Sequence, residues 1–345
     1  MINWLTRWFS KRTPATPVAP PDIAAPAAAT TAPPPVVPAV AADAGPGAAA
    51  PEAVDLPLLF YRALSNGPAD TAPAATGQLI IDELARLVAN PQAGADLVPR
   101  VPAVIPQLLK SLREDGMSGA ELSRQLAQDV VLVAEVIREA NSPYYHPTAP
   151  VKTIEGAVML LGQNGLRMLL ARVAFRPIIN MQGGPLTRHV APQIWSQSEK
   201  CALAASILAP GMQANAFEAY LAGLMENVGL MVAFRLIDLM NTDAALPQSD
   251  AFCAALFARA RTVSARIGVL WDFPVTVTGA IEQAGQGGTL PLARTLALSD
   301  RLGKLRMLID AGRLRADDPV VLGGLDAAAL ACLTKLHTEH TEEQD

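Results

Sequence analysis

From residue 56 onward, apolar residues recur at i, i+3, i+4 and i+7, the spacing that lines one face of an α-helix. The pattern predicts helices over 56–66, 78–88, 102–113, 118–128, 130–140, 154–161, 165–179, 190–208, 216–240, 251–267, 275–284, 291–308 and 327–337. No alternating apolar/polar run of useful length lies between them, so an all-α fold is expected. Local signals mark several helix ends. Ser118 followed three residues later by Glu121 writes a capping box. Asn141, Ser142 and Pro143 write a stop, because Asn tolerates the left-handed cap and proline cannot continue the helix.

Ahead of this region the composition changes. Residues 13–55 hold 11 prolines and 16 alanines with few large apolar side chains. Such a stretch cannot bury enough surface to offset its ordering entropy, so a disordered, partly polyproline-II tether of 43 residues is expected. Residues 1–12 place Ile2, Trp4, Leu5, Trp8 and Phe9 on one helical arc and polar residues on the other. With Trp4, Leu5, Trp8 and Phe9 flanked by cations, the segment reads as an in-plane membrane anchor or a motif docking into a partner. The alternative is a disordered tail, since so short a segment rarely forms a helix alone.

The net charge is −5 and the isoelectric point lies near 5.5, so no nucleic-acid partner is expected. No window of about 18 uninterrupted apolar residues occurs, and Arg7 breaks any signal-peptide core. A cytoplasmic chain follows, peripheral on the inner face of the membrane if residues 1–12 anchor it. Cys201, Cys253 and Cys332 show no zinc-like spacing and read as buried, reduced thiols.

The order of several short motifs resembles the HDOD family, the relatives of metal-dependent HD phosphohydrolases. Val101, Pro102, Ala103, Val104 and Leu108 look like its proline-containing first helix. Glu121, Leu122, Leu126, Asp129, Leu132, Val136 and Ala140, Asn141, Ser142 match the next two, although Val130 stands where the family commonly has proline. Val151, Ile154, Ala157, Val158, Leu161, Gly162, Leu166 and Arg167 look like its Leu-Gly signature, and Trp195 opens the helix leading to the HD position. Ala222, Gly223, Leu224, Met225, Glu226, Asn227, Val228 and Gly229 stand where the family writes Ala-Gly-Leu-Leu-His-Asp-Ile-Gly. The resemblance implies a compact multi-helix bundle at 97–285, with an N-terminal helical extension at 56–96. Residues 286–345 are expected to pack on the same domain and end in a disordered tail.

An HD phosphohydrolase needs a divalent ion to activate water, held by a His, an adjacent His-Asp pair and a later Asp. The corresponding positions here are Gln197, Glu226, Asn227 and Asp300. Neutral amides bind transition metals far more weakly than imidazole or carboxylate, so neither metal nor cofactor is expected. Glu226 and Asp300 could still hold Mg²⁺ with waters; the preferred reading is a hydrogen-bonded polar cluster of Gln197, Glu226 and Asn227. The histidines at 146, 189, 337 and 340 supply no substitute ligands, and Trp271, Asp272, Phe273, Pro274 with Ile281, Glu282 and Gln283 resemble a His-containing HD segment without its histidines. Gly162 to Gly165 reads as an interhelical turn and Gly285 to Gly288 as a loop lacking the P-loop lysine. Arg167, Arg172 and Arg176 spread around their helix as solvated charges.

The resemblance with its ligands missing implies a non-catalytic bacterial signal-transduction module that contacts other signalling proteins, open to regulation by a ligand. The alternatives are an HD-type phosphohydrolase acting on cyclic dinucleotides and a nucleotide sensor that does not hydrolyse. Oligomeric state is not legible.

Overall fold

Why a helix starts or stops where it does is decided here by contacts across the fold as often as by the local chain. The computed structural model describes residues 55–65, 74–89, 124, 130–142, 145, 147–179, 183–240 and 246–337. The tether except for Asp55, the anchor residues Trp4, Leu5, Trp8 and Phe9, the helix expected at 102–113, that at 118–128 except for Arg124, and His146 and His340 lie outside them. The described helices are α1 (Leu56–Ser65), α2 (Ala74–Ala89), α3 (Val130–Ala140), α4 (Ile154–Ile179), α5 (Pro185–Leu208) and α6 (Ala216–Glu226). After these come α7 (Val228–Leu239), α8 (Asp250–Leu270), α9 (Val275–Gln283), α10 (Pro291–Asp310), α11 (Pro319–Leu322) and α12 (Ala327–Lys335). Among the described residues there is no strand, and the fold is all-α.

The bundle centres on α5, which packs against α6, α7 and α10, while α8 lies against α7, α9 and α2. The main core collects Leu166, Phe175, Ile194, Leu221, Phe234, Leu256 and Ile281. Burying each such side chain stabilises by about 1.5–3 kcal/mol relative to exposure. The C-terminal α12 packs on α10 and α5, where Cys332, Leu333 and Leu336 join Leu208, Leu302 and Leu305 in a second cluster. At the other end of the described chain, α1 buries Phe60 and Tyr61 against Phe257 and Phe252 of α8.

Three boundaries differ from the sequence expectation. The helix expected to begin at residue 190 begins at Pro185, because its first amides are capped from α7. Asp238 accepts from Leu186 N at 3.1 Å and Thr187 N at 2.8 Å, and a carboxylate at a helix N-terminus also complements the dipole. The single helix expected over 216–240 is two helices, broken at Asn227 (φ −95°, ψ 1°). A Cβ on Gly229 would lie 2.0 Å from the Ala260 carbonyl oxygen, so the chain after the break runs directly against the α8 backbone. Ser264 of α8 stitches the break: its hydroxyl donates to the Glu226 carbonyl (2.6 Å) and accepts from Gly229 N (2.8 Å). Finally, α2 starts four residues earlier than its apolar pattern suggests, at Ala74.

Other expectations hold. Gly162 (φ 68°, ψ 177°) kinks α4 at the turn read from the sequence, in a conformation that L side chains avoid. The span Ala216–Leu239 is apolar and long enough to cross a membrane, but it is mostly buried inside the bundle and interrupted at Asn227, as suits a core segment.

Candidate functional site

The four positions that the family resemblance sets against metal ligands lie on three mutually packed helices: Gln197 on α5, Glu226 and Asn227 at the α6–α7 break, Asp300 on α10. All four are buried. The break puts two adjacent residues at a bend, but they find different partners. Gln197 Nε2 donates to Asp300 Oδ1 at 2.7 Å and to the Asp300 carbonyl at 3.2 Å. Asn227 Nδ2 donates to Ser198 Oγ at 3.4 Å. Glu226 accepts from Arg261 Nε at 3.4 Å and from the Cys201 thiol at 3.7 Å. The expected cluster of Gln197, Glu226 and Asn227 is therefore corrected. Gln197 belongs with Asp300, and Glu226 turns toward α8 because Arg261 supplies the charge its buried carboxylate requires.

Two cations that sequence reasoning missed complete the site. Lys304, one turn after Asp300 on α10, places its ammonium against Asp300 Oδ2, with its side chain only 3% exposed. The same ammonium lies 5.0 Å from the Phe257 ring centroid and 5.7 Å from that of Phe60, over both aromatic faces. The i,i+4 spacing of Asp300 and Lys304 was a readable signal. Arg261 had none, standing 35 residues from Glu226. Burial, together with the nearby Asp300 charge, pushes the Glu226 carboxyl up to about 7, while Arg261 and Lys304 pull it back. Burial likewise raises the Cys201 thiol well above its ordinary range, so this cysteine is a protonated donor.

These residues do not fit a catalytic divalent ion. Among the described residues no three His, Cys, Asp or Glu side chains converge. Two of these four residues, Gln197 and Asn227, are neutral amides, and a lysine ammonium already occupies the space beside Asp300. A second cation there would meet like charge in a low-dielectric setting.

A different charged cluster holds α3, α4 and α5 together. Arg172 pairs with both Glu139 and Glu199, and Arg176 reaches Glu139 at 3.7 Å. The Arg172 side chain is 17% exposed, which corrects the expectation of a solvated helix charge. Burial opposes its charge, but Glu199 and Glu139 outweigh burial and hold the guanidinium above its usual range. Nearby, burial pushes the Tyr145 phenol up to about 12. Asn141 closes the loop carrying Tyr145: it exchanges two 2.7 Å bonds with the Val151 backbone and donates to the Ile137 carbonyl at 2.8 Å.

The remaining motifs are structural. Trp271 and Phe273 pack edge-on to Phe175. Gly285 to Gly288 forms the turn leaving α9, tied by Gln286 N and Gly288 N to the Gln283 carbonyl. His189 is exposed on α5, and His337 lies 3.2 Å from Asp310.

Comparison with known proteins places these features. The HDOD domain family matches residues 98–286. A Geobacter sulfurreducens HDOD domain protein of unknown function shares 21% identity, with 76% of this chain and 94% of that one aligned at a TM-score of 0.54. A Shewanella amazonensis protein named as a candidate metal-dependent phosphohydrolase shares 18%, covering 76% and 98%, at 0.52. A Marinobacter aquaeolei protein named as a candidate signal transduction protein shares 21%, covering 71% and 58%, at 0.51. At these identities the likeness is one of fold. A Treponema pallidum protein without an assigned role is 25% identical over 149 residues, which are 43% of this chain and 28% of that protein.

Proposed function

The chain belongs to the HDOD family, and from that premise we propose that it acts as a non-catalytic signalling module that works by contacting other proteins. One observation carries the reading. The two acidic groups among those four residues are each matched by a cation of the chain itself, Asp300 by Lys304 and Glu226 by Arg261. A hydrolytic centre needs an ion with open coordination positions to generate hydroxide, and a buried ammonium offers none. Membership of a family whose structural neighbours include a candidate signal transduction protein fits a signalling role.

The segment 1–12, with Trp4, Leu5, Trp8 and Phe9, belongs to the proposal as the part that selects location or partner. A 43-residue tether would let the helical body search around a fixed point.

The test is twofold. The full chain is assayed against cyclic dinucleotides and nucleotides with Mg²⁺, Mn²⁺ or Fe²⁺ added; metal-dependent turnover lost in Asp300→Ala overturns the reading. Partners are then captured with the full chain and with residues 56–345. Specific partners bound by both would place recognition on the helical body, whereas partners lost on truncation would place it on the N-terminal segment.

A further inference from the structure

The helix α1 is too short to hold itself together. An isolated helix of fewer than about 12 residues is marginal in water, and α1 has 10. It persists by laying one face, Leu58, Phe60, Tyr61 and Leu64, on α8 and α10. It also lies outside the family's matched region, 98–286. Eight residues separate its end at Ser65 from the start of α2 at Ala74. A chain of that length spans about 27 Å when extended, more than two helix diameters, so α1 can leave its seat without drawing α2 along.

The seat beneath α1 is aromatic, with polar groups that the closed position serves incompletely. Phe257 and Phe252 of α8 face Phe60 and Tyr61 at ring separations of 6.5 and 6.0 Å. Phe60 also lies over the buried Lys304 ammonium, 5.7 Å away, and helps to close it off from water. Gln248, just before α8, donates to Ser65 Oγ at 3.0 Å, and its main-chain carbonyl accepts from Arg62 at 3.4 Å. Its side-chain Oε1 is buried without a partner. Such an oxygen costs free energy that contact with water recovers, as does a buried ammonium, so opening α1 is favoured at both points.

Resting on the reading of a module that contacts other proteins, we propose that α1 is a removable strap over a docking groove for an amphipathic helix of a partner. Phe252 and Phe257 form the floor of the groove, α8 and α10 its sides, and Gln248 its polar end. The seated α1 shows what the groove accepts: a leucine and aromatic helix face with a hydroxyl or guanidinium near its C-terminus for Gln248. A partner helix of that chemistry takes the place of α1.

Hydrogen exchange on the full natural chain is the first test. Amides of residues 59–65 should exchange at least about 100-fold faster than those of α5 and α6, because α1 opens while the bundle stays folded. The groove is then probed with a labelled synthetic peptide of residues 54–66, added to the natural chain and to the full-length variant Phe60→Ser/Tyr61→Ser, whose α1 is weakened. The peptide should bind the variant at least about ten-fold more tightly than the natural chain, and a peptide carrying the same two serines should bind neither. Equal exchange in α1, α5 and α6 overturns the proposal. So does a folded variant that binds the peptide no better than the natural chain, and so does an unfolded variant, which would make α1 part of the bundle's own core. None of these results touches the non-catalytic reading, which falls only if the natural chain shows metal-dependent turnover.

Discussion

The two buried charge clusters of this bundle solve the same problem in different ways. Around Arg172 one guanidinium faces two carboxylates, Glu139 and Glu199, with Arg176 at the margin. The imbalance is tolerated because the seam between α3, α4 and α5 is partly wetted; the Glu199 side chain keeps 22% of its exposure. Even so, burial raises the Glu199 pKa despite its pairing with Arg172, and the like charge of Glu139 adds to the rise. Around Asp300 and Glu226 the charges balance two to two, with Lys304 and Arg261 as partners. Depth separates only part of the two clusters: Lys304 and Glu226 are each 3% exposed, but Arg261 keeps 20% of its exposure, close to the 17% of Arg172. Water screens a residual charge at a seam, whereas a closed interior must be neutralised by the chain itself.

The largest expected effect probes the closed cluster. Asp300→Asn leaves the Lys304 ammonium buried without a counter-charge and should cost about 3–5 kcal/mol in urea unfolding. Adding Lys304→Met to it should recover most of that loss, because both halves of the pair are then neutral. Arg172→Leu should cost less, about 2–3 kcal/mol, since the two glutamates it abandons can take up water. If Arg172→Leu proves the more damaging of the two, depth is not what separates the clusters.

Glu226 sharpens the comparison through pH. Its folded pKa of about 7 lies above the ordinary carboxylate value, so the folded state holds a proton that the unfolded state has released between about pH 4.5 and 7. Its contribution to stability therefore falls as pH rises through that window and levels off above it. Glu226→Gln removes the titration. Its melting temperature relative to the natural chain should climb from pH 5 to pH 7.5, and a constant difference would contradict the raised pKa. The smallest effect is expected at Asn141→Ala, about 1–2 kcal/mol, read as faster hydrogen exchange at the Val151 amide that Asn141 accepts.

Much of the fold was legible because helix content is a local property. The 3.6-residue period located α1, α3, α8, α9, α10 and α12 to within a few residues, and Gly162 marked the kink in α4. Boundaries escaped where distant residues set them. Asp238 caps α5 from 51 residues beyond Thr187, and the α6–α7 break is bridged by Ser264 of α8, which Gly229 lets approach the chain closely. At the site, the family resemblance singled out Gln197, Glu226, Asn227 and Asp300, and the structure buries all four. Arg172 was misread as solvated because periodicity does not show that α3 and α5 each turn a glutamate toward it.

By itself, then, the sequence determined that the chain is helical and, through its resemblance to the HDOD family, which amides and acids to expect at the old ligand positions. Helix content is carried by residue identity and short-range spacing. Only the tertiary structure decided what neutralises the acids that remain. Arg261 comes from another helix, and although Lys304 lies one turn from Asp300, its burial depends on Phe60 of α1 and Phe257 of α8 closing over it. The reason is physical: a charge is tuned by whatever shares its low-dielectric surroundings, and in a folded chain those neighbours come from helices far apart in sequence.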